Sequence, residues 1–324
     1  MNNNTLTNIY INVNKICIQS CDHHNDVKKI ITSTTLSDLF DIDYDSILLD
    51  YISKYKTTII SRIALINDIQ SFIYILIRIF NLSNIRIIHP YLEIHESIKD
   101  IDNIFVTNNV DFIKEDLVII SNPCYPDGTL YTSKVIDILL VNHPNTIFVI
   151  DESDMEILLL NQVLNYTSYR LLHRKNLYVI NSFKNFGLPN SINYILSHES
   201  NITNISGYYN FKHTININKI VAIEIIKNIR HYRRLLKRID LFKQKIIEAL
   251  DICTIWYSIN DANVITIKIL NEASNDTSND ASNNTSGIIL DNIIKSLQHD
   301  NIFVISKEYN MVFNYIKLDL SIDT

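Results

Sequence analysis

The sequence is poor in glycine and proline, the two residues that shape a backbone most strongly. Its 324 residues include four glycines and five prolines. Every proline lies between positions 90 and 189, and four of them, with two of the glycines, fall within 123–189. Glycine reaches backbone conformations that other residues avoid, and proline fixes its own. We therefore expect 123–189 to be the geometrically constrained part of the molecule.

Other absences disfavour whole classes of protein. The first residues lack the basic and then apolar pattern of a signal peptide, and polar residues interrupt the longer apolar runs. The net charge is −6, whereas a nucleic-acid-binding face is usually basic. The basic stretch at 229–245 has the spacing of a solvated amphipathic helix. We predict no nucleic-acid partner and no membrane segment.

Cysteine is scarce as well, with four residues at irregular spacing, which is typical of a reduced, cytoplasmic compartment. Cys17, Cys21, His23 and His24 could be imagined as metal ligands. Their spacing fits no common zinc pattern, and a polar loop after a strand explains them better. We predict no metal site.

Apolar strands alternate with helical patterns along most of the chain. This order predicts an α/β large domain at 36–210, after an N-terminal arm at 1–35, with helices on both faces of a mostly parallel sheet. Strands are predicted at 57–66, 85–90, 103–108, 116–123, 146–153 and 176–183, with 191–197 as a further candidate. Helices are predicted at 35–55, 68–80, 91–101, 132–143 and 157–174.

The pattern changes in the last third of the chain. A long helix at 219–250, two strands within 252–270, a helix at 288–300 and two final strands predict a small C-terminal α+β domain at 211–324. The stretch 271–287 has almost no apolar residues, so a disordered insert is predicted there.

Polar residues stand at the ends of three predicted strands: Asn122, Asp151 and Lys184. Ligands of such sheets bind beyond the carboxyl ends of the strands. A neighbouring amine and carboxylate suit pyridoxal phosphate, whose aldehyde needs an amine for a Schiff base and whose ring nitrogen needs an acid to stay protonated. Taken singly, Lys184 and Asp151 are better explained as a loop lysine and a strand-end acid; together they predict a cofactor site.

Three segments carry a resemblance to a known family. They are NPCYPDG at 122–128, HPNTIFVIDESD at 143–154 and SFKNFGLPNSINY at 182–194. In this order they resemble the fold-type-I pyridoxal-phosphate aminotransferases, especially the histidinol-phosphate aminotransferase branch and the related threonine-phosphate decarboxylase. The resemblance implies the PLP-transferase fold of type I, with the cofactor pyridoxal 5'-phosphate and a homodimer.

The resemblance also implies roles for individual residues. Lys184 corresponds to the catalytic lysine, which holds the cofactor and then moves a proton, and Asp151 to the partner of the pyridine nitrogen. Lys317 corresponds to the cation that binds the substrate carboxylate. The other positions that correspond to cofactor contacts, or lie beside them, are Tyr91, Asn122, Tyr125, Asp154, Ser182 and Ser191. Phosphate binding is left to the helix start at Asn67–Ser71, where backbone N–H groups and the helix dipole favour an anion but the charge of Asp68 repels it.

Several of these positions depart from the family pattern. Tyr125 stands where the family has asparagine, Asp154 where it has tyrosine, and Ser191 where it has arginine.

The resemblance as a whole predicts an aminotransferase acting on an amino acid or a phosphorylated amine through a Lys184 Schiff base. Two alternatives stay open: a catalytically degenerate protein with a binding or structural role, and a pyridoxal-phosphate-dependent amino-acid decarboxylase.

Overall fold

The computed structural model describes residues 6–12, 29–33, 42–88, 104–107, 114–124, 128–160, 164–183, 192–208, 216–230, 233–252, 257–259, 264–270, 304–307 and 314–318. The chain forms two compact units, one of residues 22–233 and the other of 1–21 together with 234–324. The units thus divide the chain after Cys21 and after Arg233, and the domain boundary at 210–211 stays a prediction from the sequence.

A seven-stranded sheet forms the centre of the larger unit, in the order β2-β8-β7-β6-β5-β3-β4. Strands β3 to β7 pair in parallel, whereas β8 runs antiparallel to both of its neighbours, so the sheet is mostly parallel as predicted. The strand bounds are β2 Ile63–Ile66, β3 Ile85–Ile88, β4 Ile104–Thr107, β5 Leu117–Ser121, β6 Ile147–Asp151, β7 Leu177–Ser182 and β8 Asn193–Ser197.

Helices cover both faces of this sheet. On the first face, buried residues of α1 (Tyr44–Lys56), α3 (Ser133–Asn142) and α6 (Asn216–Lys227) share a core with β5, β6 and β7. On the second face, α2 (Ile69–Phe80) and α5 (Glu199–Ser206) pack against alternate residues of the same strands. The strands read as continuous apolar runs because both of their faces are buried.

The smaller unit contains a five-stranded sheet in the order β11-β12-β1-β10-β9. Strand β1 near the N-terminus pairs antiparallel with β10 and parallel with β12, so the predicted arm contributes an inner strand. The bounds are β1 Leu6–Asn12, α7 Arg233–Ile252, β9 Tyr257–Ile259, β10 Val264–Leu270, β11 Val304–Lys307 and β12 Asn314–Leu318.

Two predicted helices differ from the structure. The helix predicted at 157–174 is replaced by the short α4, Met155–Leu160, and by 3-10 turns at Leu164–Tyr166 and Tyr169–Leu171. The helix predicted at 219–250 is interrupted between α6 and α7, where the Asn228 side chain donates to the Glu224 carbonyl at 3.0 Å. Such a side chain competes with the helical backbone pattern. The helices predicted at 91–101 and 288–300 and the insert at 271–287 lie outside the described residues.

Candidate active site

Strands β5, β6 and β7 end at the same edge of the sheet, each with a buried polar residue. Ser121 pairs with Asp151 across β5 and β6, and Ser182 pairs with Asn193 across β7 and β8. Successive strand residues alternate between the two faces. By this alternation Ser121, Asp151, Ser182 and Asn193 all lie on the second face, where α2 packs. The edge therefore gathers a carboxylate, two hydroxyls and an amide.

Asp151 is 3% exposed and is held in a defined orientation. Its Oδ1 accepts from the backbone N–H of Ser153 at 2.9 Å and from the Ser153 hydroxyl. Its backbone carbonyl accepts from the Asn122 N–H at 2.8 Å, which joins β6 to the turn after β5. A buried and oriented carboxylate of this kind is suited to stabilising a protonated ring nitrogen.

Helix α2 begins at the same edge, but its N-terminus already holds an anion. The Asp68 carboxylate accepts from the Ser71 backbone N–H at 2.6 Å and from the Ser71 hydroxyl at 2.7 Å. The preceding carbonyl, of Asn67, accepts from the Asn193 side chain at 3.2 Å. A helix N-terminus attracts anions through its unpaired N–H groups and its dipole. Here Asp68 takes the position in which an external phosphate would otherwise contact Ser71.

Asn122 begins the turn after β5, and both the nitrogen and the oxygen of its side chain form hydrogen bonds. Its Nδ2 donates to the carbonyls of Tyr131 at 3.0 Å and Tyr166 at 2.8 Å, and its Oδ1 accepts from the Tyr131 N–H at 3.0 Å. The bond between Asn122 and Pro123 is cis. These contacts give Asn122 a structural role in fixing the turn, beside the cofactor contact that the sequence predicts.

The other predicted site residues are distributed unevenly. Ser182 is fully buried at the end of β7, and Asp154 is half-buried in the turn after β6. Lys317 belongs to β12 of the smaller unit, where the structure describes the backbone only. Lys184, Tyr125, Ser191 and Tyr91 lie outside the described residues. The described part of the site thus consists of Asn67, Asn122, Asp151, Asp154 and Ser182.

Glu152, next to Asp151, is a buried carboxyl group that the sequence reasoning missed. It is 0% exposed, and it accepts from the Thr167 hydroxyl at 2.9 Å and from the Ser168 N–H. Burial raises the pKa of Glu152 from 4.5 to about 7, against the opposing effect of these hydrogen bonds. The contacts explain why 164–171 forms turns, because Glu152 holds Thr167 and Ser168 against the end of β6. Its place after Asp151 in the strand-end segment was the available signal.

A second unpredicted group lies on the first face of the sheet. Lys56 at the end of α1 forms an ion pair with Glu156 of α4, and both side chains are at most 2% exposed. Glu156 also accepts from the hydroxyls of Tyr55 at 2.7 Å and Tyr194 at 3.0 Å. Lys56 donates to Asn181 Oδ1 at 3.2 Å, next to the last residue of β7. We call these five residues the buried charge network.

The structure places no membrane-crossing helix in the parts of the chain that it describes, since none of those helices is both long and apolar enough. Within the same ranges, no group of three or more histidine, cysteine, aspartate or glutamate side chains is arranged to bind a metal ion.

The sequence matches no protein-family profile and no curated protein. The fold, in contrast, is similar to that of many solved structures. One is a histidinol-phosphate aminotransferase from Sinorhizobium meliloti, solved in complex with pyridoxal-5'-phosphate. It has a TM-score of 0.61 and 14% identity, and the match covers 74% of this chain and 69% of that one.

Two decarboxylases are also similar in structure. L-threonine-O-3-phosphate decarboxylase from Porphyromonas gingivalis has a TM-score of 0.55 and 21% identity, covering 65% of this chain and 69% of that one. A decarboxylase from Sulfurospirillum multivorans has a TM-score of 0.62 and 14% identity, covering 91% of this chain and 87% of that one. The chain therefore has the PLP-transferase fold of type I, as the sequence predicted.

Proposed function

We propose that the protein is a pyridoxal-phosphate-dependent enzyme that transfers the amino group of an amino acid or a phosphorylated amine. The observation that carries the proposal is Asp151, a buried carboxylate oriented by Ser153 at the carboxyl edge of the sheet. The fold is shared with an aminotransferase solved with this cofactor. Ligands of such sheets bind beyond the carboxyl ends of the strands, so we place the cofactor ring at this edge.

In this proposal each residue has a separate task. Asp151 would accept a hydrogen bond from the protonated ring nitrogen, and Lys184 would supply the amine that holds the cofactor and later moves the substrate proton. When bound, the cofactor supplies an electron sink for a carbanion next to the substrate nitrogen. Lys317 would pair with a substrate carboxylate, as a point charge without the two-pronged geometry of arginine.

The two alternatives each have a supporting observation. The Asp68 carboxylate at the start of α2 competes with a phosphate group for Ser71, which favours a degenerate protein that binds the cofactor weakly or does not bind it. The structural similarity to two decarboxylases favours release of carbon dioxide on the same scaffold. A homodimer in a reduced, cytoplasmic compartment remains part of the lead proposal.

The first experiment is titration of the purified full-length chain with pyridoxal 5'-phosphate, followed by absorbance. We expect a visible band that disappears in Lys184→Ala, because the band requires the lysine amine bonded to the cofactor. Lys54→Ala is the matched control, since Lys54 is an exposed lysine of α1 whose side chain is 71% accessible. A wild-type chain that produces no such band would contradict the enzyme proposal and leave the degenerate alternative.

A second experiment separates the two reactions. Loaded protein is incubated with a panel of amino acids and phosphorylated amines, and both the aminated cofactor and released carbon dioxide are measured. Aminated cofactor without carbon dioxide supports transamination, whereas carbon dioxide release supports the decarboxylase alternative. The oligomeric state of the same preparation, measured by light scattering, tests the homodimer.

A further inference from the structure

A cavity lies at the edge of the seven-stranded sheet opposite the candidate active site, where β5, β6 and β7 begin. It has a volume of about 560 Å³, within the range of small-molecule sites. Its walls come from the end of α2, the turn after α3, the residues before β5 and β7, and the start of α5. Asp151 and Ser182 stand at the other ends of the strands, so this cavity is separate from the candidate active site.

The orientation of two lining amides is fixed by their protein partners. Asn176 Nδ2 donates to the carbonyls of Leu140 at 3.1 Å, His143 at 3.1 Å and Thr146 at 3.2 Å. Asn201 Nδ2 donates to the Lys175 carbonyl at 2.7 Å and to the Ser197 hydroxyl at 2.8 Å. A carbonyl accepts only, so the nitrogen must be on that side of each amide.

The oxygens of these amides are therefore left for other donors. Among the hydrogen bonds of the described residues, none uses Oδ1 of Asn176 or Asn201. Both residues line the cavity. Each side chain thus contributes an acceptor that its protein neighbours do not use.

Asp116 adds a negative charge to the same wall. Its Oδ2 accepts from the backbone N–H groups of Ser83 at 3.0 Å and Asn84 at 3.1 Å, and from the Ser83 hydroxyl at 3.1 Å. The backbone N–H groups of Ser83 and Asn84 hold the pKa of Asp116 below its ordinary value, so it stays ionised near neutral pH. These bonds all go to Oδ2, so Oδ1 is the oxygen that remains for a ligand.

The Tyr178 hydroxyl points to a ligand independently of the amide oxygens and Asp116. It lines the cavity at 1% exposure, and its hydroxyl has no hydrogen-bond partner among the described residues. Its ring meets Phe72 edge-on, with centroids 5.6 Å apart, so the hydroxyl is not needed to hold the side chain. A buried hydroxyl without a partner is unfavourable, and a ligand that bonds to it removes that cost.

We infer that this cavity binds the ammonium group of a small aliphatic amine. An ammonium has three N–H donors and no acceptor, and the lining offers more than three groups that can accept from it: the Asp116 carboxylate, the Asn176 and Asn201 oxygens and the Tyr178 hydroxyl. The Tyr178 hydroxyl, which has no other partner among the described residues, takes one of the three donors, and the apolar side chains of Phe80, Leu82 and Ile147 line the cavity beside a short hydrocarbon chain. This inference does not depend on the proposed function.

Lys175 gives the inference a sharp test, because it is an exposed cation that also lines the cavity. A bound cation is repelled by its charge, whereas a bound anion is attracted. Removal of this charge in Lys175→Gln is therefore expected to tighten the binding of an amine and to weaken that of a carboxylate.

The experiment is calorimetric titration of the full-length protein with n-butylamine, using 1-butanol and butyrate as uncharged and anionic ligands of matched length. We expect measurable binding of the amine and at least about tenfold weaker binding of the other two, since a hydrogen bond to a charged group contributes roughly that factor or more. Tyr178→Phe keeps the ring and is expected to weaken amine binding about tenfold. Lys175→Gln is expected to tighten it severalfold.

Asp151→Asn serves as the positional control, because it alters the opposite edge of the sheet and should leave the affinity for n-butylamine unchanged. If Asp151→Asn weakens binding and Tyr178→Phe does not, the amine binds at the candidate active site and the inference is wrong. Butyrate binding as tightly as n-butylamine, or an amine affinity that neither Tyr178→Phe nor Lys175→Gln changes, would also overturn it. Absence of any calorimetric signal for the amine would do the same.

Discussion

Two buried carboxylates on opposite faces of the sheet, Asp151 and Glu156, are held in different ways. Among the bonds of Asp151 to described residues, two come from Ser153, two residues further along the same turn. Glu156 is held by Lys56, 100 residues away, and by Tyr55 and Tyr194, at separations of 101 and 38. Glu156 therefore ties α1, α4 and β8 together, and its loss would loosen three elements of the first face.

We propose that the first face has a structural role and that the second face holds the candidate active site. The buried charge network includes Asn181, next to Ser182 at the end of β7. It therefore fixes, from the first face, the strand that leads toward Lys184. Asp151, Ser182 and the start of α2 occupy the second face at the same edge. The predictions below test this division, from the largest expected effect to the smallest.

Replacement of Lys56 by methionine should give the largest loss of stability. It leaves Glu156 buried without its cation, and removal of one member of a buried ion pair costs about 3–5 kcal/mol. Urea unfolding near neutral pH, in the wild type and in Lys56→Met, measures the change. The double variant Lys56→Met with Glu156→Gln should recover much of the loss, because no unpaired charge then remains in the core.

The matched control for this prediction is Lys54→Met, in the same helix. Lys54 also forms an ion pair, with Asp50 at 2.5 Å, but its side chain is 71% exposed and solvent screens the pair. On the second face, Asp151→Asn keeps an acceptor for Ser153, so a smaller loss than that of Lys56→Met is expected. Equal losses for Lys56→Met and Lys54→Met would contradict the structural role of the network.

Glu152 should make stability depend on pH with an unusual sign. Its pKa in the folded chain is about 7, against an ordinary value of 4.5, so the folded state binds the proton more tightly between these values. The free energy of unfolding therefore falls as pH rises from 4.5 through 7, by about 3 kcal/mol in total. Glu152→Gln imitates the protonated form, and unfolding curves from pH 4.5 to 8 should lose this component.

Glu115 provides a comparison of opposite sign. Burial opposes the shift there, but hydrogen bonds from Arg86 and the Lys114 N–H outweigh it, and the pKa of Glu115 is lowered. Its contribution to stability is present above the ordinary pKa and is lost as pH falls. Glu115→Gln should therefore be destabilising at neutral pH and have little effect in acid.

The prediction for Glu152 would be contradicted if the fall in unfolding free energy between pH 4.5 and 7 were unchanged in Glu152→Gln. Glu152 would then not be the group that causes it.

The sequence was sufficient to predict the strands that build the sheet and Asp151 as the residue that ends β6. β5, β6 and β7 are long apolar runs, and runs of that kind are buried on both faces of a parallel sheet. Asp68 is a residue type that favours the N-cap position, and α2 begins directly after it. These features depend on neighbouring residues, which is why the sequence contains them.

The features that the sequence missed depend on distant residues. Nothing in the neighbouring sequence distinguishes Lys56 from the other charged residues of α1, because its partner Glu156 is 100 positions away. The turns at 164–171 likewise depend on bonds from Thr167 and Ser168 to Glu152, which lies outside them. Several of the turn residues favour helix, so the local sequence alone does not predict the turns. The carboxylate of Asp68 was foreseen as repelling a phosphate, but its two bonds to Ser71 depend on side-chain geometry.

The smallest predicted effect concerns Asp68 and tests whether the second face is open to an anion. Serine is also a favourable N-cap, so Asp68→Ser keeps α2 while it removes the competing charge. We expect the affinity for pyridoxal 5'-phosphate to rise by about tenfold or less, the range of one charge at a helix N-terminus. Absorbance titration measures the change, and pyridoxal, which lacks the phosphate, should show no gain.

Asp43→Ser is the matched control for this change, because Asp43 caps α1 in the same way. It accepts from the Ser46 N–H at 3.3 Å and from the Ser46 hydroxyl at 2.6 Å, as Asp68 does from Ser71. The two variants thus alter the same kind of cap. Of the two helices, α2 alone begins at the carboxyl edge of the sheet, beside Asn193. If both variants, or neither, bind the phosphorylated cofactor more tightly, Asp68 does not compete with phosphate, and the second face is limited by other residues.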